Sequence, residues 1–493
     1  MENQEHLGKR TLTFVHAVGQ ALAIGPIFSA GLLTSLIAVV SGYSTPLAVL
    51  LGSIGAIGLA FIIGVFAKRY AGAGAIYEYL TLGANPSFGI FSAGLYFIGS
   101  LFLGGGGIYI ALGFFSSAFA ESYLGMSIPF WLLGAIILLI VFLLNHYGVR
   151  LAIRGVLILA CISAIPFILL CIVIIASGGA DGNTSAVFTT RGTSINGIFY
   201  GILFAVTLFI GFEAAASIAE ESHMPRKSIP VAVITAVVVS ALFYILVTYA
   251  AAIGFGHAEI DKGAWANAAN PIASLAEQYV GYWLAVVIDL VIILDMISVA
   301  IAIMVTCSRG FFALSRDHLL PKWISKTSRH GTPLAGNLIG VGFSAILLIW
   351  AAVARWGQAG LPDALQSFFI TTAVGSYLIE LIYLFLAVAA LRLVWKDYQF
   401  QAKHLWRYVV IILGLLTPIL AFRGSIVPFP EYPNSLAVYI ALIIIALVAV
   451  WTIGMNIYAS DKVKNAALHG LETDINAGDQ LISDKGSGEN VTV

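Results

Sequence analysis

The sequence predicts an all-α membrane protein with about twelve transmembrane helices. Of its 493 residues, 60% are hydrophobic and 10% are charged, whereas a soluble domain carries about 25% charged residues. The mean hydropathy is +0.98, and the apolar residues fall in long runs. A helix needs about 20 apolar residues to cross the hydrocarbon core of a bilayer, and about twelve runs reach this length.

The predicted spans are separated by short polar or Gly/Pro-containing loops. They cover approximately residues 12–40, 46–66, 88–119, 128–146, 152–176, 196–220, 229–255, 279–308, 335–354, 364–391, 407–423 and 436–459, and we number them spans 1 to 12. Residues 1–11 are polar and precede a full-length apolar stretch, which argues against a cleavable signal peptide. Residues 461–493 are polar and aperiodic, which predicts a disordered cytoplasmic tail.

The basic residues predict the orientation of the spans. With the N-terminus inside, the outer loops hold four basic residues, and the remaining 20 of the 24 Lys and Arg residues lie inside. The four outer residues are Arg191, Lys262, Arg355 and Arg423. Basic residues concentrate in cytoplasmic loops. We therefore expect both termini to be cytoplasmic, in the plasma or inner membrane, and the number of spans to be even.

Span 1 contains residues that break a helix. Gly25 and Pro26 lie near its middle, and proline removes an amide donor and clashes with the preceding turn, at a cost of about 3 kcal/mol. Proline fits the first turn of a new helix. We therefore expect an inner half-helix that ends near Ile24 and an outer half-helix that starts near Pro26. A simple proline kink is the alternative.

Span 6 is interrupted by Gly211 and Glu213. Glycine weakens a helix by about 1 kcal/mol and a carboxylate in hydrocarbon is costly, so we expect a second break whose backbone lines a cavity. The alternative is a packing glycine beside a hydrogen-bonded glutamate.

The two breaks correspond if residues 12–176 and 196–392 are five-helix copies of opposite topology, followed by two additional helices at 406–460. Paired interruptions indicate a substrate site at the membrane midplane.

Four stretches together resemble a known family. The break Gly25-Pro26-Ile27-Phe28 is similar to a Gly-rich first-helix break that ends in Ile-Phe, and residues 71–79 (AGAGAIYEY) are similar to a Gly-Gly-x-Tyr-x-Tyr pattern. Residues 209–230 (FIGFEAAASIAEESHMPRKSIP) match a sixth-helix pattern, and residues 308–333 match a pattern that follows the eighth helix. In this order, the stretches resemble the amino acid–polyamine–organocation superfamily of permeases.

This resemblance implies a five-plus-five inverted repeat with two extra C-terminal helices. It also implies transport of amino acids or amines, coupled to a proton, to sodium or to exchange. One position departs from the pattern. The family's break reads Gly-Ser/Thr-Gly, whose amides hold a substrate carboxylate, and Pro26 has no amide hydrogen to donate.

The helix dipoles predict which charges the two breaks bind. A half-helix that starts at mid-membrane presents amides and favours an anion, and one that ends there presents carbonyls and favours a cation. A zwitterion satisfies both kinds of end, whereas an amine uses only the carbonyl ends. Glu213 would either cap the backbone amides or contact a substrate ammonium group or a coupling proton. Phe209 and Phe212 are candidate aromatic walls or gates of the substrate site. The predicted substrate-binding residues are Ala23, Ile24, Gly25, Pro26, Ile27, Phe28, Phe209, Ile210, Gly211, Phe212 and Glu213.

The predicted ion-coupling residues are Asp295 and Ser298 on span 8 and Ser163 on span 5. Asp295 and Ser298 are three residues apart and share a helix face. The resemblance places a possible sodium site at Ser298, with Asp295 supplying charge; alternatively Asp295 carries a proton, or is only hydrogen-bonded to its neighbours. Proton-coupled relatives can have a lysine on span 5, where this chain has the neutral Ser163, which disfavours a lysine-based mechanism.

Together these features predict a secondary transporter for a small amino acid or amine that works by alternating access within a lipid bilayer. The alternative is a non-transporting membrane sensor on the same fold. We expect no cofactor besides a coupling H⁺ or Na⁺, and the zero net charge gives no reason for a nucleic-acid partner. No Ser-His-Asp, His-Glu-x-x-His or metal-binding pattern indicates an enzyme, and the oligomeric state is left open.

Overall fold

A computed structural model of the chain describes residues 11–22, 25–147, 149–266, 268, 270–357, 362–398 and 401–466. In these ranges the regular structure is helical, apart from two isolated β-bridges. Eleven of the described segments are long and apolar enough to cross a membrane. The first, Phe14–Ala67, has 54 residues and is interrupted at Gly42, where φ is 51°. A helix of that length would be far longer than a bilayer is thick, so this segment supplies two crossings.

The twelve spans have bounds close to those predicted. Spans 1 to 6 are Phe14–Ala21 with Pro26–Phe28, Ser29–Leu33 and Thr34–Ser41; Thr45–Ala67; Pro86–Ser100 with Leu101–Gly107 and Ile108–Leu124; Phe130–Tyr147; Val149–Ser177; and Ile195–Thr207 with Phe212–Ile218. Spans 7 to 12 are Pro225–Phe255, Tyr282–Arg316, Leu334–Val353, Asp363–Tyr398, Leu405–Ile426 and Ser435–Tyr458.

The structure differs from the prediction mainly outside the membrane. Short helices at Ile76–Gly83, His257–Asp261 and Pro271–Tyr279 lie between spans, where we predicted loops. Another helix, Ser460–Lys464, overlaps the start of the predicted tail, and it buries Val463. This apolar contact explains why the first residues of the tail are helical. Residues 467–493, the rest of the predicted tail, lie outside the described residues.

The packing of the spans follows the inverted repeat. Span 3 packs against spans 4 and 10, and its counterpart, span 8, packs against spans 9 and 5. The first half of span 1 packs against span 7, and the first half of span 6 packs against span 2. In each of these two pairs, the first contact becomes the second when every span of the first copy is replaced by its counterpart in the second copy. The residue boundaries of the two copies and the cytoplasmic location of the termini stay predictions, so we call the side that holds residue 11 the N-terminal side.

Glycine brings spans 2 and 11 close together. A Cβ atom on Gly58 would lie 2.7 Å from the amide nitrogen of Gly414 and 2.8 Å from the carbonyl oxygen of Val410. Both are backbone atoms, which cannot move aside as a side chain can. Small residues at helix interfaces permit this close approach in membrane proteins.

We expect Gly58→Ala to destabilise the fold by about 1–3 kcal/mol, the usual cost of overpacking. The matched control is Gly64→Ala on the same helix, where a Cβ atom would lie 3.7 Å from its nearest neighbour, Pro230. Thermal unfolding of the purified variants in detergent measures both effects. An unfolding temperature that falls equally for the two variants would show that the close contact is not the cause.

Candidate functional site

The break in span 1 is centred on Gly25. Its φ of 64° is a left-handed backbone conformation, which glycine adopts at little cost. The first helix ends at Ala21, and the next helix begins with Pro26 as its first residue, as predicted. A Cβ atom on Gly25 would overlap the Val299 side chain, so this break is packed directly against span 8. Ala23 and Ile24, which we also predicted to bind substrate, lie outside the described residues.

Asp295 of span 8 occupies the amides at the start of the second half-helix. Its Oδ2 atom accepts hydrogen bonds from the amides of Ile27, at 3.0 Å, and Phe28, at 2.9 Å. Asp295 is fully buried, and its Oδ1 atom has no hydrogen-bond partner in the described part of the chain. We predicted an anion at these amides, and the anion found there belongs to the protein.

The other backbone amides of this break either donate to carbonyls of the same span or, at Pro26, carry no hydrogen. The amide of Gly25 donates to the carbonyl of Leu22 at 3.0 Å, and Pro26 has no amide hydrogen. The next amide, that of Ser29, donates to the carbonyl of Gly25 at 2.9 Å. From Gly25 to Ser29, the backbone therefore offers no free donor to a substrate carboxylate.

Span 6 is broken at the predicted place. The first helix ends at Thr207, a turn follows, and a 3₁₀ helix begins at Phe212. Gly211 has a φ of 121°, a conformation that favours glycine. The amides of Phe209 and Ile210 donate to carbonyls three residues earlier, at 3.0 and 3.3 Å.

Glu213 lies in this second break and bonds to the backbone and to span 10. Its Oε2 atom accepts hydrogen bonds from the amide of Gly211, at 3.1 Å, and from the hydroxyl of Tyr383, at 2.6 Å. Phe212 stacks on the Tyr383 ring, with centroids 5.8 Å apart. Glu213 is 2% exposed, so each break holds one deeply buried carboxylate.

Tyr244 of span 7 supports both breaks. Its hydroxyl donates to the carbonyl of Leu208 at 2.9 Å, which satisfies an acceptor at the end of the first half of span 6. The same side chain hydrogen-bonds to Ser29 of span 1. The Phe209 ring meets the Tyr244 ring edge to face, at a centroid distance of 5.1 Å, and this contact fixes the position of a predicted aromatic wall.

A small internal cavity opens beside Glu213. It lies between spans 3, 6, 8 and 10, and it includes the predicted residues Ile210, Gly211 and Glu213. The sequence patterns did not indicate the other walls, because single polar or aromatic residues within apolar helices give no local signal. These other lining residues are Tyr96, Ser100, Leu103, Ala214, Ile303, Thr306 and Ile379.

A chain of polar side chains connects this cavity to span 1. The Gln20 side-chain amide donates to the carbonyl of Ala302 at 2.8 Å and to the hydroxyl of Thr306 at 3.2 Å. Thr306 is in turn 3.4 Å from the hydroxyl of Ser217. The Gln20 Oε1 atom is buried and lacks a partner among the described residues. Spans 1, 6 and 8 thus share one layer of polar side chains on the N-terminal side of the breaks.

Within the described ranges, no hydrogen bond links the three predicted ion-coupling residues to one another. The Ser298 hydroxyl donates to the Leu294 carbonyl of its own helix at 3.3 Å. Ser163 is buried, and its hydroxyl has no partner in the described ranges. The carboxylate of Asp295 instead accepts the amides of Ile27 and Phe28. The roles of the three residues in ion coupling stay predictions.

Two further carboxylates lie apart from the breaks. Asp289 of span 8 accepts hydrogen bonds from the Tyr123 hydroxyl, at 2.6 Å, and from the Asn270 amide, at 2.5 Å. This aspartate therefore ties span 8 to neighbouring helices. Glu380 of span 10 is 2% exposed, and its Oε2 atom lacks a partner within the described structure.

An ionic cluster lies on the N-terminal side. Arg309 donates to Glu221 at 2.6 Å, and both side chains are almost completely buried. Arg316 binds both carboxylate oxygens of Glu220, at 3.0 and 3.1 Å, and lies 3.9 Å from Glu78. We call these five residues the N-terminal-side cluster. It joins the loop after span 2, the end of span 6 and the end of span 8, which are three of the four stretches that carried the family resemblance.

The segment before span 1 is attached to the same cluster. The amides of Thr11 and Leu12 donate to the Glu221 carbonyl at 3.0 and 2.9 Å, and the amide of His223 donates to the Leu12 carbonyl at 2.7 Å. The two halves of the repeat are therefore held together at this end by these backbone bonds, by the Ala73 amide, which donates to Glu220, and by the contact between Arg316 and Glu78. The Arg309–Glu221 and Arg316–Glu220 pairs lie within the second half.

Glu78 is the unusual member of the cluster. Burial raises the pKa of this carboxyl group to about 8, and the nearby Glu220 adds to the effect, while Arg316 and the Gly74 amide oppose it. Asp317 also faces Glu78 and raises its pKa further. The carboxyl group therefore takes up a proton within the physiological pH range.

Comparison with known proteins agrees with this architecture. A family model described as amino acid permease matches residues 13–460. The chain belongs to this family. It is an integral membrane protein, and the predicted membership of the amino acid–polyamine–organocation superfamily is confirmed.

Curated relatives match parts of the chain. The branched-chain amino acid permease BcaP of Bacillus subtilis is 31% identical over 31% of this chain and 32% of that protein. The glutamate/gamma-aminobutyrate antiporter of Lactococcus lactis is 25% identical over 47% of this chain and 45% of that protein. The general amino-acid permease GAP1 of Saccharomyces cerevisiae is 26% identical over 67% and 56%. The chain thus spans from about a third to just over half of the length of these relatives.

We expect the stability of the protein to fall as the pH rises from about 5 to about 8, and Glu78→Gln to remove part of this fall. In this range folded Glu78 retains a proton that the unfolded chain has released, so the unfolded state binds fewer protons and stability decreases with pH. Unfolding temperatures measured at several pH values test this. Glu259→Gln, at an exposed carboxylate, is the control, and a Glu78→Gln profile parallel to that of the unsubstituted protein would contradict the expectation.

Proposed function

We propose that the chain carries a small amino acid or amine across the membrane by alternating access, coupled to H⁺, to Na⁺ or to exchange, and that it favours amines. The observation that carries this proposal is a pair of buried carboxylates, Asp295 and Glu213, one at each helix break. Their hydrogen-bond partners are amides and the hydroxyls of Tyr383 and Tyr96. The ion pairs of the described residues lie elsewhere. A cation from outside the protein would supply the missing positive charge.

The use of the amides argues against a bound carboxylate. A substrate carboxylate at the first break would have to displace Asp295 from the amides of Ile27 and Phe28, and the two negative charges would repel each other at close range. At the second break, Glu213 already accepts the amide of Gly211. A zwitterionic amino acid would lose these contacts, whereas an amine does not need them.

Glu213 is the group we assign to the substrate ammonium. It borders the internal cavity together with Tyr96 and Thr306. In this structure the cavity has room for only about one water molecule, so the surrounding spans would have to move apart before a ligand could reach the carboxylate, the aromatic ring and the hydroxyl. An ammonium group over an aromatic face gains roughly 0.5–2 kcal/mol. The adjacent Ile210, Ile303 and Ile379 would contact the apolar part of the ligand.

Asp295 is the group we assign to ion coupling. Its Oδ2 atom holds the second half of span 1, which leaves Oδ1 to accept a proton or to coordinate a sodium ion, since sodium prefers hard oxygen ligands. Either event would reduce the charge that attracts the two amides. The coupling ion would in this way change the attachment of span 1 to span 8.

The N-terminal-side cluster would act as a gate in this cycle. Alternating access requires one side of the site to close while the other opens. The ion pairs Arg309–Glu221 and Arg316–Glu220 link the ends of spans 6 and 8, so these spans cannot separate on the N-terminal side until the pairs break. In the proposed cycle, the structure would then correspond to a state that is closed on this side.

We expect proteoliposomes with the purified chain to take up amines faster than the matching α-amino acids. The assay compares radiolabelled pairs that differ only in the carboxylate, such as cadaverine with lysine and isobutylamine with valine, under pH and sodium gradients imposed separately. Faster uptake of the amino acid of each pair would overturn the preference for amines. Saturable binding without uptake would favour the sensor on the same fold.

We expect two substitutions of Asp295 to have different effects. Asp295→Asn keeps an oxygen for the amides of Ile27 and Phe28 but removes the charge, so uptake should lose its ion dependence and keep its preference for amines. Asp295→Ala frees the two amides, and the uptake ratio of amino acid to amine should rise about tenfold or more, since hydrogen bonds to charged groups contribute about 1.5–3 kcal/mol. Unchanged ion dependence in a well-folded Asp295→Asn variant would remove Asp295 from the coupling mechanism.

A further inference from the structure

A groove with basic residues at one end lies far from the candidate site. It is formed on the N-terminal side by spans 2, 7, 10 and 11. Its cationic residues are Lys68 and Arg69, at the end of span 2, and Arg407, near the start of span 11. Arg69 pairs with Asp397. Among the described residues, no carboxylate pairs with Lys68 or Arg407, so the groove carries an excess of positive charge.

Arg407 is held in place without an anion. Its guanidinium lies 4.4 Å from the centre of the Tyr398 ring and 5.0 Å from that of Trp406. Its Nε atom is buried and has no acceptor in the described part of the structure. Buried donors are rarely left unsatisfied. A guanidinium that is ordered by stacking but lacks an acceptor is suited to bind an anion, and its planar fork matches phosphate oxygens.

The other end of the groove is apolar. Phe61, Gly64 and Val65 of span 2 face Ile234 of span 7 and Val394 of span 10. The absence of a side chain at Gly64 leaves space, because a Cβ atom there would still be 3.7 Å from its nearest neighbour. Nearby side chains such as Trp406 and Val231 are more than half exposed, as expected for residues that face lipid. The groove therefore runs from a cationic end into an apolar one.

We propose that this groove binds an anionic phospholipid, with the phosphate at Arg407 and Lys68 and an acyl chain along span 2 beside Gly64. Basic pockets between transmembrane helices bind anionic lipid headgroups on the cytoplasmic side. The apolar extension of the groove favours a lipid over a free phosphate ion, which would use only the cationic end. This site is independent of the transport proposed above.

Native mass spectrometry of the full-length chain in detergent tests this site. The probes are phosphatidylglycerol, phosphatidylcholine with the same acyl chains, and glycerol phosphate. We expect phosphatidylglycerol to bind at least fivefold more tightly than phosphatidylcholine. Arg407→Gln and Lys68→Gln should each weaken its binding about fivefold, which corresponds to about 1 kcal/mol for each basic residue near the membrane surface.

Two further variants distinguish a bound lipid from a free phosphate ion. Gly64→Leu fills the apolar end and should weaken phosphatidylglycerol binding while Arg407 and Lys68 remain. Lys322→Gln, at an exposed lysine in the loop after span 8, is the control and should have no effect. Equal binding of the two phospholipids, or unchanged binding in both Arg407→Gln and Lys68→Gln, would overturn the proposal. Full competition by glycerol phosphate together with an ineffective Gly64→Leu would assign the site to a free phosphate and overturn it as well.

Discussion

Backbone amides inside a membrane need acceptors, and this need organises the centre of the molecule. A break in a transmembrane helix exposes amides where no water can bind them, and each unsatisfied group costs several kcal/mol. Here the protein supplies the acceptors itself. Asp295 bonds to two amides of span 1, and Glu213 bonds to an amide of its own break and to Tyr383. Bonds to charged acceptors are the stronger kind, so these carboxylates join the spans that meet at the breaks.

The hydrogen bonds between these carboxylates and the amides also affect which ligands the site can bind. Once the amides are occupied, the positive helix ends no longer attract a substrate carboxylate, and two buried negative charges remain. The internal cavity lies beside one of them, Glu213. The other, Asp295, holds the second half of span 1. We propose on this basis that Glu213 binds the substrate and that Asp295 takes part in ion coupling, which connects the backbone geometry to the proposed transport of amines.

The carboxylates at the centre lack basic partners among the described residues, whereas on the N-terminal side basic and acidic side chains occur together. The centre holds carboxylates, whereas the N-terminal side holds Arg309 and Arg316, paired with glutamates, and Lys68 and Arg407 in the lipid-facing groove. The paired arginines connect the ends of spans 6 and 8, which would move apart in the proposed transport cycle. The groove lies on the outside of these parts. The proposed lipid site and the proposed gate thus use different basic residues on the same side.

The sequence by itself determined the number of spans and the position of both breaks, because apolar length and the effects of Gly25, Pro26 and Gly211 on a helix are local properties. It also identified Glu213 and Asp295 as costly buried charges. Only the tertiary structure decided their partners. Asp295 meets amides 267 and 268 positions away, and Tyr383 meets Glu213 across 170 positions. Such contacts depend on which faces of the helices pack together, and no local pattern encodes that choice.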